Sequence, residues 1–195
     1  MKVLLLSPYP DNLLSAIKQF NDEFLIKNES VNIEFLKSNN IDFIISYGFK
    51  EIINRKVIAY MNNSIINLHI SYLPFNRGYY PNLWSHLDGN QSGVSIHIID
   101  EGIDTGRILL RKKINFDVNC HTFSSSYDIL KKEIENLFIS NWHQIRLNKI
   151  KGFKPLEKGT FHFKKEGLDF LKKINYNWDT NIDHAINIFK KGNLS

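Results

Sequence analysis

Two polar residues stand two positions apart at the end of a predicted strand. The apolar run from Ile65 to Leu68 predicts a buried strand that leads directly into His69. In an extended segment the side chains of Asn67 and His69 point to the same face. Because α/β proteins place their sites where a strand runs out into a loop, this pair could offer an amide donor and an imidazole to a reacting group. A pair of satisfied polar residues lining a turn is the alternative.

A second polar segment, Asp100 to Gly106, contains three acidic residues and two glycines. If this hairpin returns beside the strand that ends at His69, one of its carboxylates reaches the imidazole. An aspartate that accepts a hydrogen bond from histidine fixes the tautomer of the ring and stabilises its cation. A hairpin rich in Asp and Gly is also an ordinary turn, so spacing alone leaves both interpretations open.

The segment from residue 67 to residue 109 resembles the core of the folate-dependent formyltransferase family, and is most similar to its short sugar N-formyltransferases. The family pattern is Asn-x-His-x-Ser-x-Leu-Pro, an Arg-Gly loop, a Gly-Val-Ser/Thr strand, and Asp-x-Gly-x-Asp-x-Gly. The matching residues, in order, are Asn67, His69, Ser71, Leu73, Pro74, Arg77, Gly78, Gly93, Val94, Ser95, Asp100, Gly102, Asp104 and Gly106.

The resemblance implies a catalytic role for three residues. An amine attacks the formyl carbon, and the carbonyl oxygen becomes an oxyanion that Asn67 stabilises through its amide hydrogens. His69 either stabilises the same oxygen when it is protonated or takes the amine proton when it is neutral. Asp104, the second aspartate of the hairpin motif, orients His69 and helps to accept or relay the proton.

The resemblance also implies N10-formyltetrahydrofolate as co-substrate and no metal. The pterin is expected against the loop of Tyr47, Gly48 and Phe49, and against backbone groups of the hairpin at Asp100 and Gly102. The side chain of Asp100 is expected to be structural. Taken individually, the two aromatic residues of the loop could simply pack in the core.

For the acceptor, the resemblance favours the amine of a nucleotide-linked amino sugar, specifically dTDP-4-amino-4,6-dideoxyglucose for surface polysaccharide (O-antigen) synthesis. Arg77 is the candidate for the diphosphate, and Tyr79, Tyr80 and Trp84 offer flat surfaces to a sugar or base. Aromatic residues after a turn also pack in cores, which is the alternative. We expect no nucleic-acid or membrane partner, and a homodimer is one of the oligomeric states that the sequence leaves open.

Three other functions remain open. Methionyl-tRNA formyltransferase is disfavoured because only about 50 residues, not strongly basic, follow the last long predicted helix. Glycinamide ribonucleotide transformylase is disfavoured because the segment from Ser7 to Asn12 contains two prolines and no glycine to cradle a phosphate. A hydrolase that releases formate from the folate would use the same three residues with water. A formyltransferase-like domain that binds without catalysis is disfavoured because Asn67, His69 and Asp104 are all present.

The predicted elements that must position these residues indicate an α/β fold. We predict a Rossmann-like formyltransferase core with a mostly parallel central sheet flanked by helices, in which a short apolar strand precedes an amphipathic helix from the start. Predicted strands cover residues 2–6, 42–46, 65–68, 93–99 and 107–114, and predicted helices cover 12–20, 51–61, 83–87 and 122–145. The segment 29–38 is left open between strand and helix, and residues 154–163 and 167–189 are predicted as a strand or loop followed by one or two short helices.

Length and composition fit this interpretation. The 195 residues, 43% hydrophobic and 23% charged, are enough for one catalytic domain over 1–150 with a short C-terminal extension over 151–195. The net charge of +5 suits an anionic small ligand. A single cysteine excludes an intrachain disulfide, and the short apolar start is not a signal peptide, so we expect a cytoplasmic protein.

Overall fold

A six-stranded sheet with the order β2-β1-β3-β4-β6-β7 is the main feature of the computed structural model, which describes residues 1–192. β1 pairs in parallel with both β2 and β3, and β3 pairs in parallel with β4. The prediction of an α/β fold with a mostly parallel sheet is therefore confirmed. The strands are β1 (Lys2–Leu6), β2 (Glu23–Lys27), β3 (Phe43–Tyr47), β4 (Ile65–His69), β6 (Gly93–Ile98) and β7 (Ile108–Lys113).

The chain divides into two units. The first takes Met1–His69, Ile96–Leu110 and Ile134–Lys154, and the second takes Ile70–Ser95, Arg111–Glu133 and the chain from Pro155 on. β6 and β7 therefore contribute residues to both units. The predicted division at residue 150 into a catalytic domain and an extension stays a prediction, because compactness alone does not define a functional domain.

In the first unit, strands buried on both faces explain the continuous apolar runs of the sequence. Helices α1 (Asp11–Lys18), α2 (Ile33–Ser38) and α3 (Arg55–Met61) connect these strands. One apolar cluster of strand and helix residues forms the core around β1 and β3; its buried members are Leu4, Leu6, Leu36, Ile41, Ile44, Ile53, Val57, Met61 and Ile65.

The longest helix, α5 (Phe123–Arg146), begins where the sequence predicts. The Thr122 hydroxyl accepts a hydrogen bond from the Ser125 amide at 3.2 Å, as a helix N-cap residue does. In the first unit, Phe138 and Trp142 of this helix are fully buried. Among residues 1–192, neither α5 nor any other helix is long and apolar enough to cross a membrane.

The second unit is built around a short parallel ladder. β5 (Arg77–Gly78) pairs with β8 (Phe161–His162), and the helices are α4 (Pro81–Leu87), α6 (Lys164–Lys173) and α7 (Ile182–Gly192). The strand-or-loop segment and the short helices predicted after Gly152 correspond to β8, α6 and α7. A second apolar cluster joins these helices through Leu83, Trp84, Leu87, Phe123, Phe170, Ile174, Ile182 and Ala185.

Two local expectations differ from the structure. Strand β2 had no counterpart in the sequence analysis, because as an edge strand it exposes Glu23 and Ile26 and lacks a continuous apolar run. Helix α3 begins at Arg55 rather than at residue 51, because the Asn54 side chain accepts a hydrogen bond from the Lys56 amide at 2.8 Å and caps the helix there.

A buried aspartate ties α5 to the turn before β2. Asp22 is 5% exposed. It accepts hydrogen bonds from Arg146 at 2.8 and 2.5 Å and from the Trp142 indole at 3.3 Å. Burial by itself raises the pKa of Asp22. The hydrogen bonds and charges of Arg146 and of the Met1 ammonium, which lies 3.1 Å from Asp22 Oδ1, outweigh it, so the pKa lies below its usual value. The pair is therefore intact throughout the neutral range.

We expect Asp22→Ala to lower the free energy of unfolding by about 3 kcal/mol at pH 7, because Arg146 loses its buried partner. Urea unfolding of the variant and of the exposed control Asp128→Ala measures the difference. Because the folded pKa is depressed, the stabilisation is present above the unfolded pKa of about 3.9 and is lost as pH falls through the lower folded value. A penalty larger at pH 3 than at pH 7 would contradict this account.

Candidate active site

β4 places two of the predicted catalytic side chains. Within the parallel ladder Asn67 lies beside Ser46 of β3, and His69 is the last residue of β4. Two-residue spacing on a strand puts Asn67 and His69 on the same face, as predicted. The His69 side chain is 9% exposed, so its ring lies at the surface of the first unit's core rather than in solvent.

The hairpin between β6 and β7 brings a carboxylate to this pair. Asp104 Oδ2 lies 3.7 Å from His69 Nε2, and Asp104 Oδ1 lies 3.4 Å from Asn67 Nδ2. The hairpin therefore returns beside the end of β4, which the sequence alone left open. The side chain of Asp104 is 12% exposed. The structure thus brings Asn67, His69 and Asp104 together in one half-buried cluster.

The shape of the hairpin depends on its motif residues. Asp104 has a φ of +52°, in the left-handed region that aspartate tolerates better than most residues. Gly106 has no room for a side chain, because a Cβ there would lie 1.7 Å from the Ile98 carbonyl oxygen. Asp100 Oδ1 accepts hydrogen bonds from the Gly102 amide at 3.2 Å and the Thr105 hydroxyl at 2.6 Å. The side chain of Asp100 thus holds the turn.

The charge on Asp100 is stabilised within this turn. Burial by itself raises the pKa of Asp100, while hydrogen bonds from Thr105 and Lys154 lower it. The charge of Lys154 and the Gly102 amide add to the lowering, so the pKa lies below its usual value. The hairpin therefore carries a fixed negative charge at Asp100, separate from the carboxylate of Asp104.

A second histidine, which the sequence analysis did not single out, completes the cluster. His97 Nε2 lies 3.4 Å from Asp104 Oδ1 and 3.3 Å from Asn67 Nδ2. His97 Nδ1 lies 2.9 Å from the Ile98 carbonyl oxygen, which can only accept, so Nδ1 carries a proton. The ring is 2% exposed. The signal available in the sequence was the alternation in β6, which puts His97 on the strand that leads directly into the hairpin.

The side chain of Tyr47, predicted to lie near the folate, points into the core. It is 4% exposed, and its hydroxyl donates to Glu135 Oε1 at 2.7 Å. Asn12 donates to the other oxygen of Glu135 at 2.8 Å. Glu135, on α5, thus fixes both the end of β3 and the start of α1. Any contact between Tyr47 and a ligand would come from its backbone.

The two residues that follow are placed differently. Gly48 is exposed and lies against the ring of Tyr9, whereas Phe49 is partly buried against the apolar cluster of the first unit. Phe49 also lines a cavity of about 470 Å³ at the carboxyl ends of β1 and β3, where the strand order reverses. Such crevices are the usual ligand sites of open α/β sheets. The other lining residues are Leu6, Ser30, Val31, Ile52, Ile53, Asn54 and Arg55.

The four residues predicted to bind the acceptor all belong to the second unit. Tyr79 is 42% exposed, whereas Trp84 is 6% exposed and stacks on the His162 ring at 4.0 Å. Tyr80 is partly buried against Gly167. Arg77 is also partly buried, and its Nε donates to the Thr160 carbonyl at 3.3 Å. Tyr79 is therefore the most exposed of the four, and the packing of α6 and α7 explains the burial of Trp84.

Comparison with known proteins identifies a family and several relatives that this chain matches. The family described as Formyl transferase matches residues 9–140. The methionyl-tRNA formyltransferase of Thermodesulfovibrio yellowstonii is 36% identical over 120 residues, which are 60% of this chain and 36% of that protein. The corresponding protein of Clostridium perfringens is 35% identical over 136 residues, 69% of this chain and 44% of its own length. The chain thus spans less than half of these curated relatives.

A solved structure is similar over nearly the whole chain. The formyltransferase PseJ from Anoxybacillus kamchatkensis, solved in complex with UDP-4,6-dideoxy-4-formamido-L-AltNAc and tetrahydrofolate, is 38% identical with a TM-score of 0.88. The match covers 95% of this chain and 97% of that one. The resemblance of the Asn67–Gly106 segment to this family is therefore confirmed, and the chain belongs to the formyl transferase family.

Proposed function

We propose that this protein transfers a formyl group from N10-formyltetrahydrofolate to the amine of a nucleotide-linked amino sugar. The observation that carries the proposal is the convergence of Asn67, His69 and Asp104 within 3.7 Å at the end of β4. An amide donor, an imidazole and a carboxylate are the groups that acyl transfer to an amine requires. The residues expected to hold the folate belong to the same unit as these three.

Asn67 is suited to stabilise the oxyanion. Its amide nitrogen contacts Asp104 at 3.4 Å and His97 at 3.3 Å, and both distances exceed the usual hydrogen-bond range of about 2.7–3.2 Å. These weak contacts orient the amide and leave its hydrogens available to a stronger acceptor. When the amine attacks the formyl carbon, the carbonyl oxygen becomes that acceptor, and one such donor is typically worth about 3–4 kcal/mol.

His69 and Asp104 handle the proton. The new carbon–nitrogen bond leaves a proton on the attacking amine, and the bond from the formyl carbon to N10 breaks as that nitrogen is protonated. A neutral His69 takes the proton, with Asp104 stabilising the resulting cation at 3.7 Å. A protonated His69 instead stabilises the oxyanion, and Asp104 then relays the proton.

His97 positions Asp104. The Ile98 carbonyl keeps a proton on Nδ1, and Nε2 lies 3.3 Å from Asn67 Nδ2 and 3.4 Å from Asp104 Oδ1. In the neutral ring Nε2 accepts from Asn67, and in the protonated ring it donates to Asp104. In both states it restricts where the carboxylate can lie.

Similarity over nearly the whole chain supports the choice of acceptor. PseJ, at 38% identity and 95% coverage of this chain, was solved with a UDP-linked 4-formamido sugar. That similarity supports a nucleotide-linked 4-amino-4,6-dideoxy sugar as acceptor, with UDP as the first nucleotide to test. The dTDP-linked 4-amino-4,6-dideoxyglucose expected from the sequence has its amine at the same position, and its role in surface polysaccharide remains part of the proposal.

The second candidate function is formyl transfer to methionyl-tRNA, because the curated relatives are named methionyl-tRNA formyltransferases. The chain spans 36% and 44% of the first two of those proteins. Those two matches cover 60% and 69% of this chain, whereas the match to PseJ covers 95% of it, which favours the sugar acceptor.

An acceptor panel tests this proposal. With N10-formyltetrahydrofolate, we expect kcat/KM for the UDP-linked 4-amino-4,6-dideoxy sugar to exceed that for glycinamide ribonucleotide and methionyl-tRNA by at least about 100-fold, because the other acceptors cannot fill a site shaped for the sugar. Mass spectrometry of the formamide product and tetrahydrofolate release provide the readout. Comparing the dTDP-linked with the UDP-linked sugar tests which nucleotide the enzyme prefers. Formate release without an acceptor, at the same rate as with sugar, would support the hydrolase instead.

Asn67→Ala should lower kcat by about 100- to 1,000-fold and change KM much less, because the lost interaction forms only in the transition state.

His69→Ala should lose nearly all transfer while remaining folded by circular dichroism. The exposed residues Asn28 and His143 provide matched alanine controls with wild-type kinetics. A pure KM effect in Asn67→Ala would exclude the oxyanion role, and unchanged turnover in His69→Ala would refute its assignment.

His97→Gln should lower kcat by about tenfold with KM for both substrates nearly unchanged, because the carboxylate of Asp104 loses one of its fixed neighbours. Steady-state kinetics across pH 6–9 measure the effect, with His143→Gln as control. A parallel loss of kcat and thermal stability, with the shape of the pH profile retained, would show that the ring only fills space.

A further inference from the structure

The segment that follows α5 returns to the hairpin that carries Asp104. The Phe153 amide donates to the Ile108 carbonyl at 2.9 Å, and the Ile108 amide donates to the Phe153 carbonyl at 2.9 Å, so the two residues form an antiparallel bridge. Arg107 donates through its guanidinium to the Lys151 carbonyl at 3.3 Å. The chain after the long helix is therefore fastened to the first residues that follow the hairpin.

A glycine permits this close approach. Gly152 has a φ of +68°, in the left-handed region, and a Cβ at this position would lie 3.0 Å from the Ile108 carbonyl oxygen. The backbone turns there and directs the following residues along the hairpin. Lys154 is thereby placed beside the turn of the motif.

The ammonium of Lys154 joins the two ends of that turn. Lys154 Nζ donates to Asp100 Oδ2 at 3.1 Å and to the Thr105 carbonyl at 2.5 Å. Asp100 opens the turn, and Thr105 directly follows Asp104. Because the Thr105 hydroxyl also donates to Asp100 at 2.6 Å, Asp100, Thr105 and Lys154 form a ring of hydrogen bonds that closes the turn ending in Asp104.

That residue needs such support. Asp104 has a left-handed backbone with φ of +52°, which is unfavourable for a residue with a Cβ and persists only where the surroundings fix it. The Lys154 side chain is 57% exposed and that of Asp100 39%, so as an ion pair the contact adds little to global stability. Its effect is instead local, on the backbone that aims the carboxylate.

We propose that Lys154 is a positioning residue for Asp104. It fixes the turn of the motif so that the Asp104 carboxylate stays within reach of His69. This inference rests on the proposed function, since it assigns Lys154 a part in the same formyl transfer. It also attaches a residue of the predicted C-terminal extension to the catalytic machinery.

The first test uses Lys154→Met, which keeps the length of the side chain and removes its ammonium. We expect kcat to fall about tenfold, because a small displacement of a reacting group is costly in rate. KM for both substrates and the midpoint of thermal unfolding should stay close to wild type, Lys154→Arg should recover most of the loss, and the exposed Lys149→Met is the control. An unchanged kcat in Lys154→Met would overturn the inference.

A double-mutant cycle tests whether Lys154 acts through Asp104. In an Asp104→Asn background, Lys154→Met should cause no further loss of the residual kcat, because the group that it positions is already disabled. If the fold-loss of kcat in the double variant equals the product of the two single fold-losses, Lys154 acts independently of Asp104, and the inference would be overturned.

Hydrogen exchange separates this inference from the proposed function. In Lys154→Met, the amides from Gly102 to Gly106 should exchange faster than in Lys149→Met, whether or not any acceptor is turned over. If the wild-type protein transfers formyl to no acceptor, the proposed function fails, and the exchange rates then decide whether Lys154 holds the turn. Equal exchange in the two variants would refute that role.

Discussion

The contact between the carboxylate of Asp104 and its neighbours at the end of β4 is the interaction on which the site depends. A carboxylate that is only 12% exposed is costly unless donors surround it. Here the amide of Asn67 lies 3.4 Å from Oδ1 and the imidazole of His69 lies 3.7 Å from Oδ2. His97 Nε2 lies 3.4 Å from Oδ1 and donates to it when the ring is protonated. These distances are long for hydrogen bonds, so the cluster is organised yet still able to tighten around a reacting group.

Each element of the first unit contributes to that contact for a simple physical reason. β4 presents Asn67 and His69 over its last three residues, at the carboxyl end of the strand, where α/β sheets bind their ligands. The neighbouring strand β6 adds His97 and leads into the hairpin, and the left-handed turn brings Asp104 back to the same place. The second unit contains the residues that we propose to bind the acceptor, Arg77, Tyr79, Tyr80 and Trp84, and β5 pairs there with β8.

The extent of similarity differs between the two groups of relatives. Similarity to the methionyl-tRNA formyltransferases covers 60% and 69% of this chain in the first two relatives, and the family match ends at residue 140. Similarity to PseJ continues through 95% of the chain, including most of the segment that forms β8, α6 and α7. The shared part contains the three predicted catalytic residues, and the part beyond it contains the elements that bury Trp84 and order Arg77.

Local sequence determined most of the elements and the identity of the motif. Apolar runs and helical periodicity are properties of neighbouring residues, so β1, β3, β4, β6, β7 and α5 could be predicted, as could the common face of Asn67 and His69. The edge strand β2 could not, because its residues are half exposed and lack that pattern. The convergence of Asn67 with Asp104, 37 positions apart, was decided by the pairing of strands. The contact of Lys154 with Asp100, 54 positions apart, and the position of His97 beside Asn67 and Asp104 were decided in the same way. Contacts at such separations depend on how whole elements pack, which is why only the tertiary structure decided them.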